Sequence, residues 1–131
     1  ITFASNGNAV NAIDFSVHMD PATAMFDETD ANSDGIPDAL RLNVPGMLTM
    51  TKYNEATGEL RVLLFGYGSP LPTFQDGMIA TVYATSLVEG DPNVTFTVTS
   101  AGGTNGLPTE VKPSTSLAIR LLFDMFLPLI Q

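Results

Sequence analysis

Apolar and polar residues alternate along several stretches of the chain, and this alternation predicts β-strands. In residues 13–19 the apolar side chains fall on every second position, with Asp14, Ser16 and His18 between them. A period of two is typical of a strand with one buried face. The same alternation recurs at residues 40–44, 78–88 and 94–98. Each of these segments is therefore predicted to be a strand.

Two further segments add a hairpin to this pattern. Residues 47–53 mix apolar and Thr side chains and run into residues 54–58, Asn-Glu-Ala-Thr-Gly, which predict a turn. Residues 60–65 form a nearly continuous apolar run, typical of a strand covered on both faces. Residues 101–113 lack periodicity and predict a loop. About eight short strands joined by turns predict an all-β fold, a two-sheet β-sandwich.

The C-terminal segment, residues 117–127, has two possible interpretations. Its odd positions are all large and apolar, which predicts a strand. A helix would also collect Leu121, Leu122, Met125 and Phe126 into one apolar stripe. We favour the strand because Pro113 and Pro128 bracket the segment without helix caps.

Composition restricts the classes of partner. The chain has 131 residues and a net charge of −9, which makes nucleic acid and anionic lipid unfavourable partners. No cysteine is present, so disulfides and thiolate metal sites are excluded. No run of about 18 apolar residues predicts a membrane span. A start at Ile1, not Met, is what removal of a signal peptide would leave, so we expect a secreted protein.

The acidic residues are concentrated in residues 20–38, and part of this stretch has the spacing of a calcium loop. Residues 30–38 read Asp-Ala-Asn-Ser-Asp-Gly-Ile-Pro-Asp, which matches the first nine positions of the EF-hand pattern. In a tightly curled loop, oxygen ligands at alternate positions converge on one centre, and Gly35 permits the sharp turn. Hard, charged oxygen ligands suit Ca²⁺. The predicted metal ligands are Asp30, Asn32, Asp34, the Ile36 carbonyl and Asp38.

This match is partial. Arg41 stands at the twelfth position, where an EF-hand has a bidentate Glu, and no helix pattern flanks the loop. Asp20, Asp27 or Glu28 is a candidate to complete the shell. The alternative is a solvated acidic loop in which Asp and Asn side chains only make turns.

Four segments resemble a known family. NAIDFSVHMDPATAMFD, TDANSDGIPDALRLNVPG, TGELRVLLFG and LPTFQDGMIATVYAT are similar, in this order, to blocks of cohesin-like domains of secreted bacterial surface proteins. The resemblance covers residues 8–100. The Asp-Gly-Ile-Pro-Asp piece also resembles thrombospondin type 3 calcium repeats.

The resemblance implies a β-sandwich of jelly-roll type that lies outside the cell and binds a protein partner or builds a surface. Family members carry one more strand before the segment that begins here at Ile1, and this chain has an additional apolar tail. We therefore divide the chain into a sandwich, residues 1–114, and a tail, residues 115–131, that is predicted to be the donor strand. A tail with large residues on alternate positions suits a groove left by a missing strand, in its own domain or in a neighbour.

Two functions are compatible with these expectations. The first is an extracellular, calcium-stabilised subunit that polymerises with copies of itself by strand exchange. The alternative is a monomeric cohesin-like module that binds a protein or glycan at the cell surface. We expect no catalysis, because His18, the only histidine, has no nucleophile motif beside it. Tyr53, Tyr67 and Tyr83 could line a sugar-binding face, but the chain lacks Trp, the usual stacking platform, and ordinary strand positions are the favoured interpretation.

Overall fold

The computed structural model of the chain describes residues 1–3, 9–68, 70–90 and 92–103. This part is all-β, contains no helix, and pairs its strands only in antiparallel fashion. The predicted C-terminal strand and the tail lie outside the described residues. The strands of the described residues are β1 (Thr2–Phe3), β2 (Val10–Met19), β3 (Ala24–Met25), β4 (Leu40–Leu42), β5 (Met47–Asn54), β6 (Glu59–Gly66), β7 (Gly77–Met78), β8 (Ala80–Val82), β9 (Thr85–Ser86) and β10 (Val94–Gly103).

The main layer is a four-stranded sheet in the order β10-β2-β6-β5. The predicted alternation of β2 is confirmed, because Ile13, Phe15, Val17 and Met19 are all buried while the residues between them are partly or fully exposed. Strand β6 places its own buried residues on the same face, and these lie opposite the buried residues of β2. The two central strands, β2 and β6, therefore form one side of the hydrophobic core.

Strand β10 continues beyond its predicted end, and its pairing with β2 contains a bulge there. The register of β10 against β2 shifts between Gly102 and Gly103, so that Gly103 pairs with Val10. The shift turns Val10 inward, out of step with the rest of β2, and its side chain is fully buried. Residues 101–103, which the sequence predicted as loop, thus belong to the sheet.

The second layer is built from short pairings. Residues 78–88 were predicted as one long strand, but the structure divides residues 77–86 into β7, β8 and β9, which pair with β1, β4 and β3. Ile79 and Ala80 are both buried, which breaks strict alternation, and their amides both donate to the Ile1 carbonyl, at 3.0 and 3.4 Å. Because each piece has a different partner, the segment bends between pieces.

The two layers share one hydrophobic core. Its buried residues come from β1, β2, β3, β4, β6, β8 and β10 and from the connections. A tilted ring pair joins Phe3 to Phe74 at 5.5 Å, and an edge-to-face pair joins Phe26, after β3, to Tyr53 on β5 at 5.2 Å. The described part of the chain is therefore sandwich-like.

The β5–β6 turn holds the hairpin against β2. Asn54 caps it, since its carbonyl accepts from the Gly58 amide at 2.8 Å and its Oδ1 accepts from the Ala56 amide at 3.0 Å. The Gly58 carbonyl accepts in turn from the Met19 amide at 2.8 Å. Gly58 has a φ of 74°, and a Cβ at this position would overlap the Met19 carbonyl. The close approach of the two backbones therefore requires glycine.

We predict that Gly58→Ala lowers the free energy of unfolding by about 2 kcal/mol or more, because it combines a left-handed backbone with a backbone clash. Chemical denaturation followed by tyrosine fluorescence measures the change. Gly90→Ala is the matched control, since Gly90 has a φ of 88° but open space around it. Equal losses in the two variants would show that the contact with Met19 does not matter.

Candidate functional site

The predicted calcium loop curls around the Asp30 carboxylate. Asp30 Oδ1 accepts from the Asp34 amide at 3.2 Å, and Oδ2 accepts from the Gly35 amide at 2.8 Å. Gly35 supplies the left-handed turn with a φ of 83°. The carboxylate at the first loop position therefore fixes the backbone at the fifth and sixth positions.

The other predicted ligands lie on the same turn. Asn32 Nδ2 donates to Asp34 Oδ2 at 3.1 Å, and Asp34 Oδ1 accepts from the Ile36 amide at 2.8 Å. Asp38 Oδ2 accepts from the Ala31 amide at 3.0 Å, which closes the loop end to end. The hydrogen bond from the Ile36 amide is the main cause that lowers the pKa of Asp34, with Asn32 contributing less.

Ile36 also attaches the loop to the sandwich. Its side chain is half-buried and packs against the core, while Asn32, Asp34 and Asp38 are exposed. The Asp38 amide donates to the Thr29 carbonyl at 2.8 Å. The loop is thus fixed at its base and open to solvent at its tip.

The structure leaves the calcium assignment a prediction. All five predicted ligands share one turn, but among the described residues no three or more Asp, Glu or His side chains are arranged to hold a metal ion. Two of the three candidates for completing the shell, Asp20 and Asp27, accept hydrogen bonds from nearby residues. Asp20 Oδ1 accepts from the Ala22 amide at 2.9 Å, and Asp27 Oδ1 accepts from both the amide and the hydroxyl of Thr29.

The outer face of the four-stranded sheet is polar at one end. Arg61 on β6 forms a two-pronged pair with Asp14 on β2, with Nε–Oδ1 at 3.1 Å and Nη2–Oδ2 at 2.6 Å. This pairing raises the pKa of Arg61. His18 lies on this face, as predicted, with Nδ1 3.8 Å from Glu59 Oε2. Both pairs join neighbouring strands, which is the usual use of opposite charges on a sheet.

The other end of this face is apolar, which the sequence did not predict. Leu48 and Met50 on β5 lie opposite Phe65 and Leu63 on β6. Met50 is 62% exposed and Leu48 47% exposed, and the two β6 side chains are half-buried. The run at residues 60–65 was expected to be covered on both faces, but no second layer covers this side within the described residues. We call these four residues the outer apolar patch.

The two edge strands of this sheet differ from its centre. The inward residues of β5 (Met47, Thr49, Thr51 and Tyr53) are only half-buried, and so are Val94, Phe96 and Val98 of β10. Their neighbours on β2 and β6 are fully covered. Within the described residues, neither strand has a second neighbour on its outer edge. The core is therefore closed at its centre and open along both edges.

Comparison with known proteins assigns this chain to no family. No family model, no curated protein and no solved structure matches this chain. A search of the described residues for a helix long and apolar enough to cross a bilayer also finds none.

We predict that Thr29→Val raises the pKa of Asp27 toward its ordinary value of 3.8, because the Thr29 hydroxyl is the main cause that lowers it. Because the pKa of Asp27 is lower in the folded state, its carboxylate stabilises the protein at pH values above the ordinary pKa. This contribution is lost as the pH falls through the folded-state pKa. Carbon-detected NMR titration of the carboxyl groups measures the shift. Asp34 is the internal reference, since its lowered pKa depends mainly on the Ile36 amide. An unchanged Asp27 would contradict the assignment.

Proposed function

We propose that this chain is an extracellular structural subunit that polymerises with copies of itself by strand exchange and is stabilised by Ca²⁺. Residues 1–114 form a cohesin-like sandwich of jelly-roll type, and residues 115–131 are the donor strand. The role of the subunit is structural, and it catalyses no reaction. The observation that carries the proposal is the open core along the edges of the four-stranded sheet.

Open edges favour the addition of a strand for two reasons. An edge strand presents unpaired backbone N–H and C=O groups, which are a template for another chain. The half-buried inward side chains beside it, such as Tyr53 on β5 and Phe96 on β10, would also lose solvent contact when a strand is added. Backbone pairing gives affinity and the side-chain contacts give specificity.

The tail has the pattern that such an edge needs. Its inward row would be Leu117, Ile119, Leu121, Phe123, Met125 and Leu127. Burial of each large side chain contributes about 1.5–3 kcal/mol, which is opposed by the entropy lost when the tail becomes ordered. Donation to a neighbour is a head-to-tail contact, and when its rotation does not close into a ring it produces a filament.

Calcium enters the proposal through the acidic loop. Six carboxylates lie within residues 20–38 of a chain whose net charge is already −9. A divalent cation held by Asp30, Asn32, Asp34, the Ile36 carbonyl and Asp38 would relieve the repulsion among them. The hydrogen bonds within the loop already curl it, so binding requires little rearrangement of the backbone.

The outer apolar patch supports a second candidate function. An exposed apolar area bordered by charged residues is typical of a protein-binding surface. In this alternative the tail completes its own domain, and the monomeric cohesin-like module binds a protein or glycan at the cell surface. The oligomeric state of the chain distinguishes the two functions.

We predict that deletion of residues 115–131 abolishes polymers and leaves a poorly soluble monomer, because the donor is lost and the acceptor edge stays open. Electron microscopy and light scattering measure the outcome. A matched pair of point variants preserves chain length: Phe123→Asp puts a charge in the apolar row and should block assembly, whereas Ala118→Asp puts it on the opposite row and should not. Polymers that persist after the deletion would contradict the proposed function, and a monodisperse monomer of the intact chain would favour the alternative.

We also predict that Ca²⁺ raises the melting temperature of the intact chain and that a chelator reverses the effect. A ligand at a hundredfold excess over its Kd stabilises the folded state by about 2.7 kcal/mol. Asp30→Asn should remove the heat of binding in isothermal titration. Glu55→Gln, which removes the same charge from the β5–β6 turn, should retain it. If isothermal titration of the intact chain with Ca²⁺ shows no heat of binding, and Ca²⁺ leaves the melting temperature unchanged, the calcium site is eliminated.

A further inference from the structure

The two edges of the four-stranded sheet are not equivalent as acceptors for the tail. A strand added to a sheet places one row of side chains beside the inward row of the edge strand and the other row beside its outward row. On β10 the exposed residues Thr95 and Thr97 lie on the outward face. On β5 the outward row is Leu48, Met50, Lys52 and Asn54, which combines apolar side chains with a cation.

The second row of the tail is also amphipathic. Its even positions are Arg120, Leu122, Asp124 and Phe126. A strand whose second row contains large apolar groups is poorly matched to the threonines of β10. It is well matched to β5, where Met50 is 62% exposed at the outer apolar patch.

Lys52 sets the register. It lies directly opposite Arg61, a like charge, and Arg61 is already paired with Asp14. Within the described residues Lys52 has no ion-pair partner. A carboxylate placed beside Lys52 would therefore neutralise a cation that the sheet leaves uncompensated, and Asp124 is the only carboxylate in residues 115–131.

With Asp124 opposite Lys52, the two possible strand directions differ in how well the remaining outward residues match. In an antiparallel arrangement Phe126 lies opposite Met50, and Phe123 and Met125 lie opposite Tyr53 and Thr51 on the inward face. In a parallel arrangement Arg120 would lie opposite Leu48, a cation against an apolar side chain. The parallel arrangement also places Leu122 opposite Met50, but it leaves two mismatches on the outward face, Arg120 opposite Leu48 and Phe126 opposite Asn54. The antiparallel arrangement leaves one, Leu122 opposite Asn54, and is therefore favoured.

Met47, the first residue of β5, offers one further match to the tail. In the antiparallel register Leu129 lies opposite Met47. A cavity of about 260 Å³ opens beside Met47 and is lined by Val44, Pro72 and Phe74 among others. An apolar side chain entering at this point would meet a mixed lining, in which Asn43, Thr73 and Gln75 are polar and the other residues are apolar.

Taking these matches together, we infer that the free edge of β5 is the acceptor site for residues 122–129 of a neighbouring copy, which add antiparallel with Asp124 beside Lys52 and Phe126 beside Met50. This inference rests on the proposed function, that the tail is donated between copies. It adds which edge receives the tail, in which direction and in which register.

The test uses the absence of cysteine from the chain. Met50→Cys and Phe126→Cys are made in separate full-length chains, which are mixed, assembled and oxidised. Directly opposed residues on antiparallel strands lie within the Cα separation that a disulfide spans. We expect a 50–126 disulfide, identified by mass spectrometry. It can form only between copies, because each chain carries one cysteine. The control mixes Thr97→Cys with Phe126→Cys, which samples the β10 edge and should give no such bond.

The outcomes separate the inference from the proposed function. A 97–126 disulfide without a 50–126 disulfide, or neither disulfide in polymers that the tail deletion abolishes, would overturn the β5 acceptor site while strand exchange stands. Assembly that survives deletion of residues 115–131 would overturn both. Because Met50 is exposed, its replacement leaves the core intact, and thermal melting of each single variant verifies this.

Discussion

The antiparallel pairing of β2 with β6 is the interaction on which the rest of the molecule depends. It places Phe15 opposite Val62 and Val17 opposite Leu60 in one continuous buried layer. All four side chains are at most 3% exposed, so their burial supplies a large part of the hydrophobic stabilisation. The short pairings of the second layer have only two or three residues each and are too small to be stable alone. They depend on this layer as the surface against which they pack.

The same arrangement explains why the edges remain open. The second layer is assembled from three separate pairings, and it covers β2 and β6 more completely than β5 and β10. A sandwich with a closed centre and open edges can be stable as a fold and still be stabilised further by an added strand. In the proposed assembly, stability and strand addition would therefore depend on different parts of one sheet.

Sequence patterns predicted the elements whose structure is decided locally. The alternation of residues 13–19 was enough to assign β2 and its buried face, and the Asn54–Gly58 turn was evident because cap and glycine have specific backbone roles. The breaks in residues 77–86 depend on which partner each piece meets, which no local pattern records. The exposure of Leu63 and Phe65 depends on whether a second layer covers them, so an apolar run alone predicted too much burial. Likewise the turn at residues 30–38 was predictable from Asp, Asn and Gly spacing, whereas convergence of ligands depends on how distant carboxylates are placed.

The acidic loop shows how one set of side chains can serve two purposes. The carboxylates of Asp30, Asp34 and Asp38 accept from backbone amides of the loop, so its shape is specified by hydrogen bonds within the chain itself. A carboxylate has about four acceptor positions on its two oxygens, so these bonds leave capacity for a cation. They also hold negative charges near one another, and that repulsion is what a cation would relieve. A loop ordered in this way would gain stability from a cation mainly through charge, with its backbone already in place.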